Sequence, residues 1–380
     1  MTSSVLVAFV DALGPDQLAA MGNAVSFAPH RRSLGGILGY SCGALPTILT
    51  GTPPSRHGRM CLFSRRSAES SAPLSPLVWL GLLPRILHER APFRRALARL
   101  VTAASGLTGY LALYRVPPEA FAWVDVPERE DLFTARAIGG ARTFLSEARD
   151  AGLEVHSADW RLPEDARWTE SLAALRRGPD LAFVYAPEMD GALHTAGNGS
   201  AAAIAAAARI GDRIARAQDT LARAGRDVTT IVVGDHGMAD VRRVIDPRPI
   251  VARLAARFFV DSTMLRVWGT RAELDAARIA TDRARAPGRW LEADDLVARD
   301  APTQGAPFGD AIFVLDEGAL FAPSFAGGAV SGMHGYDLGS PSSHAAIASD
   351  DDAVLACNRL TDVAGVVRRK LGLGAEVAHA

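Results

Sequence analysis

Carboxylates and imidazoles recur in four short stretches whose spacing suits chemistry. Asp190 and His194 form an Asp-x-x-x-His pair, and a spacing of four sets both side chains on one face of a helical turn. Asp235-His236-Gly237 directly follows the β-branched run 228–233. His334 lies in Gly332-Met333-His334-Gly335-Tyr336-Asp337, where glycines let backbone approach a ligand closely. Asp11 closes the first apolar run of the chain. Singly, each has an ordinary explanation. An Asp ending a strand serves as a turn former or helix cap, and Asp-x-x-x-His arises by chance. Together they share a placement: Asp11, Asp190 and Asp235-His236 all follow apolar runs that read as strands, and α/β sheets gather catalytic groups at the carboxyl ends of strands.

Three Asp and three His make a donor set for a borderline-soft ion such as Zn²⁺. Six ligands are too many for one tetrahedral ion and suit two metals. Two ions about 4 Å apart clamp the attacking and leaving oxygens of an in-line phosphoryl displacement. A candidate nucleophile is Ser41, about 30 residues after Asp11 in the segment 39–51. Metal coordination would lower its pKa, and a helix opening at Ser41 would add backbone N–H donors for an anionic oxygen. The competing reading is that Ser41 is simply an N-cap.

The elements that must position these residues follow an α/β rhythm. Residues 4–10 form a nearly continuous apolar run, as in a strand buried on both faces of a parallel sheet. Further strands are expected at 153–158, 181–186 and 228–233, with helices at 131–150 and 200–224. Two stretches break the rhythm. The first, from about Cys61 to Pro127, is rich in Arg, Leu and Pro; the second runs from about Phe258 to Ala329. In the second, 258–268 reads as one strand, Thr270 and Glu273 as a capping box opening a helix to about Ala286, and 311–315 with 319–321 as a hairpin. Both stretches read as insertions over the carboxyl ends of the main strands. The expected organisation is a core of 1–60, 129–257 and 330–380, with cap insertions at 61–128 and 258–329.

At 380 residues, with 48% hydrophobic and 22% charged, the chain is neither a disordered tail nor a fibrous repeat. A net charge of −1 provides no global positive field for nucleic acid, so no nucleic-acid partner is expected. Cys42, Cys61 and Cys357 are too few and odd in number for a disulfide framework, which fits a reducing compartment. The N-terminus lacks a basic region before its apolar run, and no stretch supplies the roughly 20 apolar residues of an integral membrane segment. The expected location is cytoplasmic. Oligomeric state is not legible.

In order, Phe9-Val10-Asp11-Ala12, the segment from Ser41 to Thr50-Gly51, Pro54-Ser55-Arg56-His57-Gly58, Asp190 to His194, Asp235 to Met238 and Met333 to Asp337 resemble the alkaline phosphatase superfamily. Within it they resemble the type I phosphodiesterase/nucleotide pyrophosphatase branch. The resemblance implies a three-layer α/β sandwich with a mostly parallel central sheet. It implies two divalent ions, zinc first and manganese as the alternative. Asp190, His194 and His334 would hold one ion; Asp11, Asp235, His236 and the Ser41 oxygen would hold the other. Ser41 would form a phospho-enzyme that water then hydrolyses. The implied substrate is a small phosphodiester or nucleotide-type pyrophosphate. The runner-up is a phosphomonoesterase of a phosphorylated metabolite, and the reading from another class is a non-catalytic metal-containing binding protein.

The sequence departs from that pattern at 59–66, which lacks the asparagine that binds phosphate in nucleotide pyrophosphatases. Cys42 does not make a sulfatase, because Ala44 and Pro46 stand where Cys-x-Pro-x-Arg needs Pro and Arg. His57 reads as a loop-fixing residue, His344 as close enough to reach the pocket, and His30, His88, His156 and His379 as surface residues. In the first insertion, Arg85, Arg90, Arg94, Arg95 and Arg99 alternate with apolar residues. Three readings stay open: a solvated face on a packed insertion, a lid whose arginines meet a polyanionic substrate, and a basic amphipathic segment on a membrane surface.

Overall fold

The computed structural model describes residues 2–374. Two sheets carry the architecture, with strands β1 (Thr2–Val10), β2 (His30–Leu34), β3 (Val155–Ser157), β4 (Leu181–Ala186), β5 (Arg226–Val233), β6 (Arg257–Val260), β7 (Met264–Trp268), β8 (Gly288–Leu291), β9 (Ala311–Leu315) and β10 (Ala345–Ser349). The larger has the order β2-β10-β5-β1-β4-β3. β1 runs parallel to both β4 and β5, β3 runs parallel to β4, and β10 alone runs against the other five strands. The mostly parallel α/β sheet is therefore as expected.

Alternation along β1 builds the layers. Val5, Val7 and Phe9 face one side and pack with the helices Ser41–Thr50, Phe144–Asp150 and Val363–Lys370. Leu6, Ala8 and Val10 face the other and pack with Ile210, Ile214 and Leu221 of the helix Ala201–Arg223. A strand with period two and apolar residues on both faces must be covered twice, which yields helix–sheet–helix.

Three local expectations fail. Only Phe144–Asp150 of the stretch 131–150 is helical. Upstream, Gly139 (φ 57°) and Gly140 (φ 85°) turn a small hairpin between Ala137–Ile138 and Ala141–Arg142, and the Thr143 side chain caps the helix that follows. The apolar stretch 258–268 is two antiparallel strands, β6 and β7, separated by a turn in which Asp261 N–H donates to Met264 O. Strand β9 and the strand Ala319–Phe321 do not pair with each other. β9 lies between β7 and β8, and Ala319–Phe321 pairs with Arg243–Ile245. The expected capping box is present: Thr270 and Glu273 bond reciprocally at the start of the helix Arg271–Arg283.

Candidate active site

The register β1–β4–β5 sets the acidic residues side by side. Phe9 pairs with Tyr185 on one neighbour and with Val233 on the other, so Asp11, Asp190 and Asp235 all emerge just beyond the same sheet edge. Ala12 takes a left-handed φ of 62°, and its N–H donates to Asp235 Oδ1 at 3.0 Å. Asp190 and His194 sit four apart on the helix Glu188–Ala196, with His194 Nε2 3.2 Å from Asp190 Oδ1. His334 arrives on the loop after a short strand, Gly332–Met333. The next residue, Gly335, has φ 85° and lies against the Tyr40 ring, where a Cβ would fall 2.5 Å from that ring. Tyr40 in turn meets the His334 ring edge-on at 5.6 Å.

Two of the three histidine rings are oriented by backbone carbonyls. His236 Nδ1–H donates to Gly237 O and His194 Nδ1–H to Gly332 O, both at 2.8 Å. Their Nε2 atoms are thereby turned inward, as ligand histidines require. His236 Nε2 lies 3.2 Å from Asp235 Oδ2 and 3.8 Å from Asp11 Oδ1, and the His236 ring stacks on His334 at 3.6 Å. Asp190 Oδ1 is 3.9 Å from His334 Nε2.

Two overlapping groups, Asp11/Asp235/His236 and Asp190/His236/His334, each bring one ligand atom per residue within 4.8 Å of the others. His236 thus belongs to both groups, and His194 reaches the second through Asp190. The burial of Asp11 Oδ1, Asp235 Oδ2 and His334 Nδ1 without hydrogen-bond partners is costly unless something cationic or protic meets them. Burial, then the Asp235 and Asp190 charges, pushes the Asp11 carboxyl well up. Burial would lower His236, but Asp235 and Asp11 outweigh it and raise the imidazole to about 9. Crowded carboxylates with inward imidazole nitrogens fit divalent cations.

Ser41 is the first residue of the helix Ser41–Thr50, and Tyr40 is its N-cap. Its hydroxyl therefore does not cap the helix; Ser41 Oγ lies 3.0 Å from His236 Nε2. All seven residues singled out in the sequence meet in one place. Sequence reasoning missed Tyr185, whose hydroxyl donates to Asp11 Oδ2 at 3.0 Å. The available signal was a lone polar group in an otherwise apolar strand, one residue before its end.

Above the cluster opens a pocket of about 600 Å³. Its walls include Phe63, Tyr110, Tyr114, Phe133, Trp160, Tyr185, Phe259 and Phe325, together with Glu128 and Asp261, and among the described residues no Arg or Lys lines it. Among the described side chains the arginines of the first insertion do not reach it: Arg94 is buried, donating to Val116 O and lying over the Phe121 ring, Arg90, Arg95 and Arg99 face solvent, and the Arg85 side chain lies outside the described residues. In the stretch lacking the asparagine, Leu62 and Phe63 line the pocket instead.

Among the other histidines, His57 is buried, accepting from Arg59 N–H and donating to Thr47 Oγ1, so it fixes the loop. His344 does not line the pocket. His156 is not the expected surface residue: burial, then Arg177, lowers it to about 4, and it bonds Ser171. His379 and the His88 side chain lie outside the described residues.

Comparison with known proteins bears on the family. The sequence profile of the type I phosphodiesterase/nucleotide pyrophosphatase family matches residues 39–337. No curated protein matches the chain significantly. Among solved structures, human ectonucleotide pyrophosphatase/phosphodiesterase 5 superposes with a TM-score of 0.67 at 14% identity, covering 98% of this chain and 96% of that one. An inactive murine form of that protein in complex with AMP superposes with a TM-score of 0.66 at 16% identity over the same shares. At such identities the likeness shows the fold, a mixed α/β arrangement around a mostly parallel central sheet. With four-fifths of its length under the profile, the chain belongs to the type I phosphodiesterase/nucleotide pyrophosphatase family, metal-dependent hydrolases of phosphoric esters.

Proposed function

We propose that the protein cleaves a phosphodiester, or the phosphodiester-like linkage of a nucleotide pyrophosphate, by transfer to Ser41 followed by hydrolysis. The supporting observation is the juxtaposition of Ser41 Oγ, 3.0 Å from His236 Nε2, with an aromatic pocket that among the described residues has no Arg or Lys in its walls. Ser41 Oγ forms the new bond to phosphorus as the bond to the leaving oxygen breaks on the opposite side. Water then forms its bond to phosphorus as the Ser41 oxygen departs. Tyr185 holds Asp11 in place, and the Gly237 and Gly332 carbonyls keep His236 and His194 turned inward. Asp190, His194 and His334 would hold one divalent ion and Asp11, Asp235, His236 and Ser41 the other, with zinc the best match to mixed imidazole and carboxylate donors. When bound, the ions supply Lewis-acid polarisation and a lowered serine pKa.

The pocket favours the diester over the monoester. A monoester presents a dianion, which needs extra positive charge; among the described residues this pocket adds no Arg or Lys, and it has aromatic room for a second ester group. Aromatic walls also suit a nucleobase, and the family relative holds AMP. We read 61–128 and 258–329 as cap insertions that supply part of these walls, Phe63, Tyr110, Tyr114, Phe259 and Phe325 among them, and the cytoplasm as the compartment, in keeping with three unpaired cysteines. The test is kcat/KM for bis-p-nitrophenyl phosphate against p-nitrophenyl phosphate at saturating zinc. The diester should be preferred. A tenfold preference for the monoester, about 1.4 kcal/mol at the transition state, reverses the assignment.

A further inference from the structure

We infer that the tip of the first insertion is a docking surface for an anionic lipid bilayer. The 3₁₀ turn Ser75–Leu82, the short helix Arg85–His88 and the helix Ala91–Ser105 carry more apolar side chains than their own core uses. Inward, Leu77, Leu80, Ala98 and Val101 pack with Phe121, which anchors the segment. Outward, Trp79 is 70%, Leu82 78% and Ile86 74% exposed, with Leu83, Leu87 and Leu100 exposed beside them. Scattered apolar residues on a surface are ordinary, but a contiguous cluster marks a contact face.

The charges select the partner. Among the described side chains from 79 to 100, the exposed ionic groups are Arg90, Arg95 and Arg99 against the single carboxylate Glu89. Arg95 and Arg99 lie one turn apart on the exposed face of their helix, next to Leu100. On the turn Pro118–Ala122 packed against the tip stands exposed Glu119, and four residues before it in sequence stands exposed Arg115. An exposed Trp, protruding Leu and Ile, and flanking arginines match the layers of a bilayer interface: aromatic rings at the headgroups, aliphatic chains below, cations on anionic lipid. No helix among the described residues is long and apolar enough to cross a membrane, so the tip would rest on the surface. The same insertion supplies Leu62, Tyr110 and Tyr114 to the pocket.

The test is co-sedimentation of the full chain with phosphatidylcholine vesicles, with and without phosphatidylglycerol. Binding should be roughly tenfold or more stronger on the anionic vesicles and should weaken with salt. It should come with a blue shift of tryptophan emission that Trp79→Phe removes. Leu82→Asp with Ile86→Asp should abolish binding, and Arg95→Glu with Arg99→Glu should abolish the preference for anionic lipid. Both variants should keep the wild-type melting temperature and the wild-type kcat/KM on a soluble diester. Failure of the wild type to sediment with anionic vesicles overturns the inference, as does undiminished sedimentation of the aspartate variant. Light scattering that shows the aspartate variant splitting a dimer, with vesicles unbound, also overturns it and assigns the tip to contact between two copies.

Discussion

Ser41 does what a helix-capping serine would not: it leaves the backbone and points at His236. Ser41→Ala removes the proposed nucleophile and leaves Asp11, Asp190, His194, Asp235, His236 and His334 in place. Bound metal should be retained by elemental analysis while kcat falls by several orders of magnitude, up to about 10⁶. Near-normal turnover would show that Ser41 is not the group attacking phosphorus. Glu128, in the pocket wall, makes a different statement. Burial raises its carboxyl to about 7, against the opposing Tyr110 N–H and Arg59. The folded state thus holds this proton more tightly than the unfolded chain does. Its stabilising share is complete below the model-peptide value of 4.5 and is lost as pH rises through about 7. Glu128→Gln keeps the acceptor for Tyr110 N–H and abolishes the titration. The variant should therefore gain stability over wild type at pH 8, on the order of 2–3 kcal/mol, and almost none at pH 4. Urea unfolding of both zinc-loaded proteins at the two pH values measures the difference; an equal difference at both would remove Glu128 from the linkage.

Strand β7 carries a fully buried arginine, which an apolar strand tolerates only with complete pairing. Arg266 donates to Asp261 Oδ2 at 2.6 Å and to Phe63 O at 2.7 Å, and lies 4.5 Å from the Phe259 ring centroid. It ties the first insertion, through Phe63, to the second sheet, and both Phe63 and Phe259 line the pocket. Arg266→Met strands Asp261 as a buried lone carboxylate and should cost about 3–5 kcal/mol, whereas Arg266→Met with Asp261→Asn should recover part of it. Thermal unfolding of the two variants decides this, and equal melting temperatures would sink the pairing argument. This ion pair also shows why element boundaries were unevenly legible. Strands β1, β4 and β5 announce themselves because burial on both faces demands unbroken apolar runs. The stretch 258–268 is apolar too, but Asp261-Ser262-Thr263 turns it into a hairpin in which Asp261 of the turn pairs with Arg266 of β7. β9 is apolar as expected, but its partners β7 and β8 come from distant sequence, and no local pattern encodes them.

Across the whole molecule, the site was legible and its walls were not. Asp11, Asp190, Asp235 and their histidines belong to short motifs at strand ends, and a parallel sheet brings its strand ends together by construction. Tyr110, Tyr114, Glu128 and Trp160 enter the pocket from irregular segments of no fixed period, held by tertiary contacts such as Tyr110 stacked edge-on against Trp160 at 5.8 Å. The proposed ligand residues come from Asp11 to His334, nearly the length of the chain, so ions held by them should act as long-range cross-links on the native state. Without cations, burial sets three carboxylates against one another, with Asp11 bearing the strain. Two ions per chain should be found by elemental analysis of protein purified without chelator. A cation at 100 times its dissociation constant stabilises the fold by about 2.7 kcal/mol per site, so chelation should lower the melting temperature by several degrees. Zinc should restore it, and Asp235→Asn, which removes a ligand charge but little volume, should blunt the restoration. A chain with less than one ion, whose melting temperature ignores both chelator and zinc, would mean that the six ligand residues are held together by the fold alone.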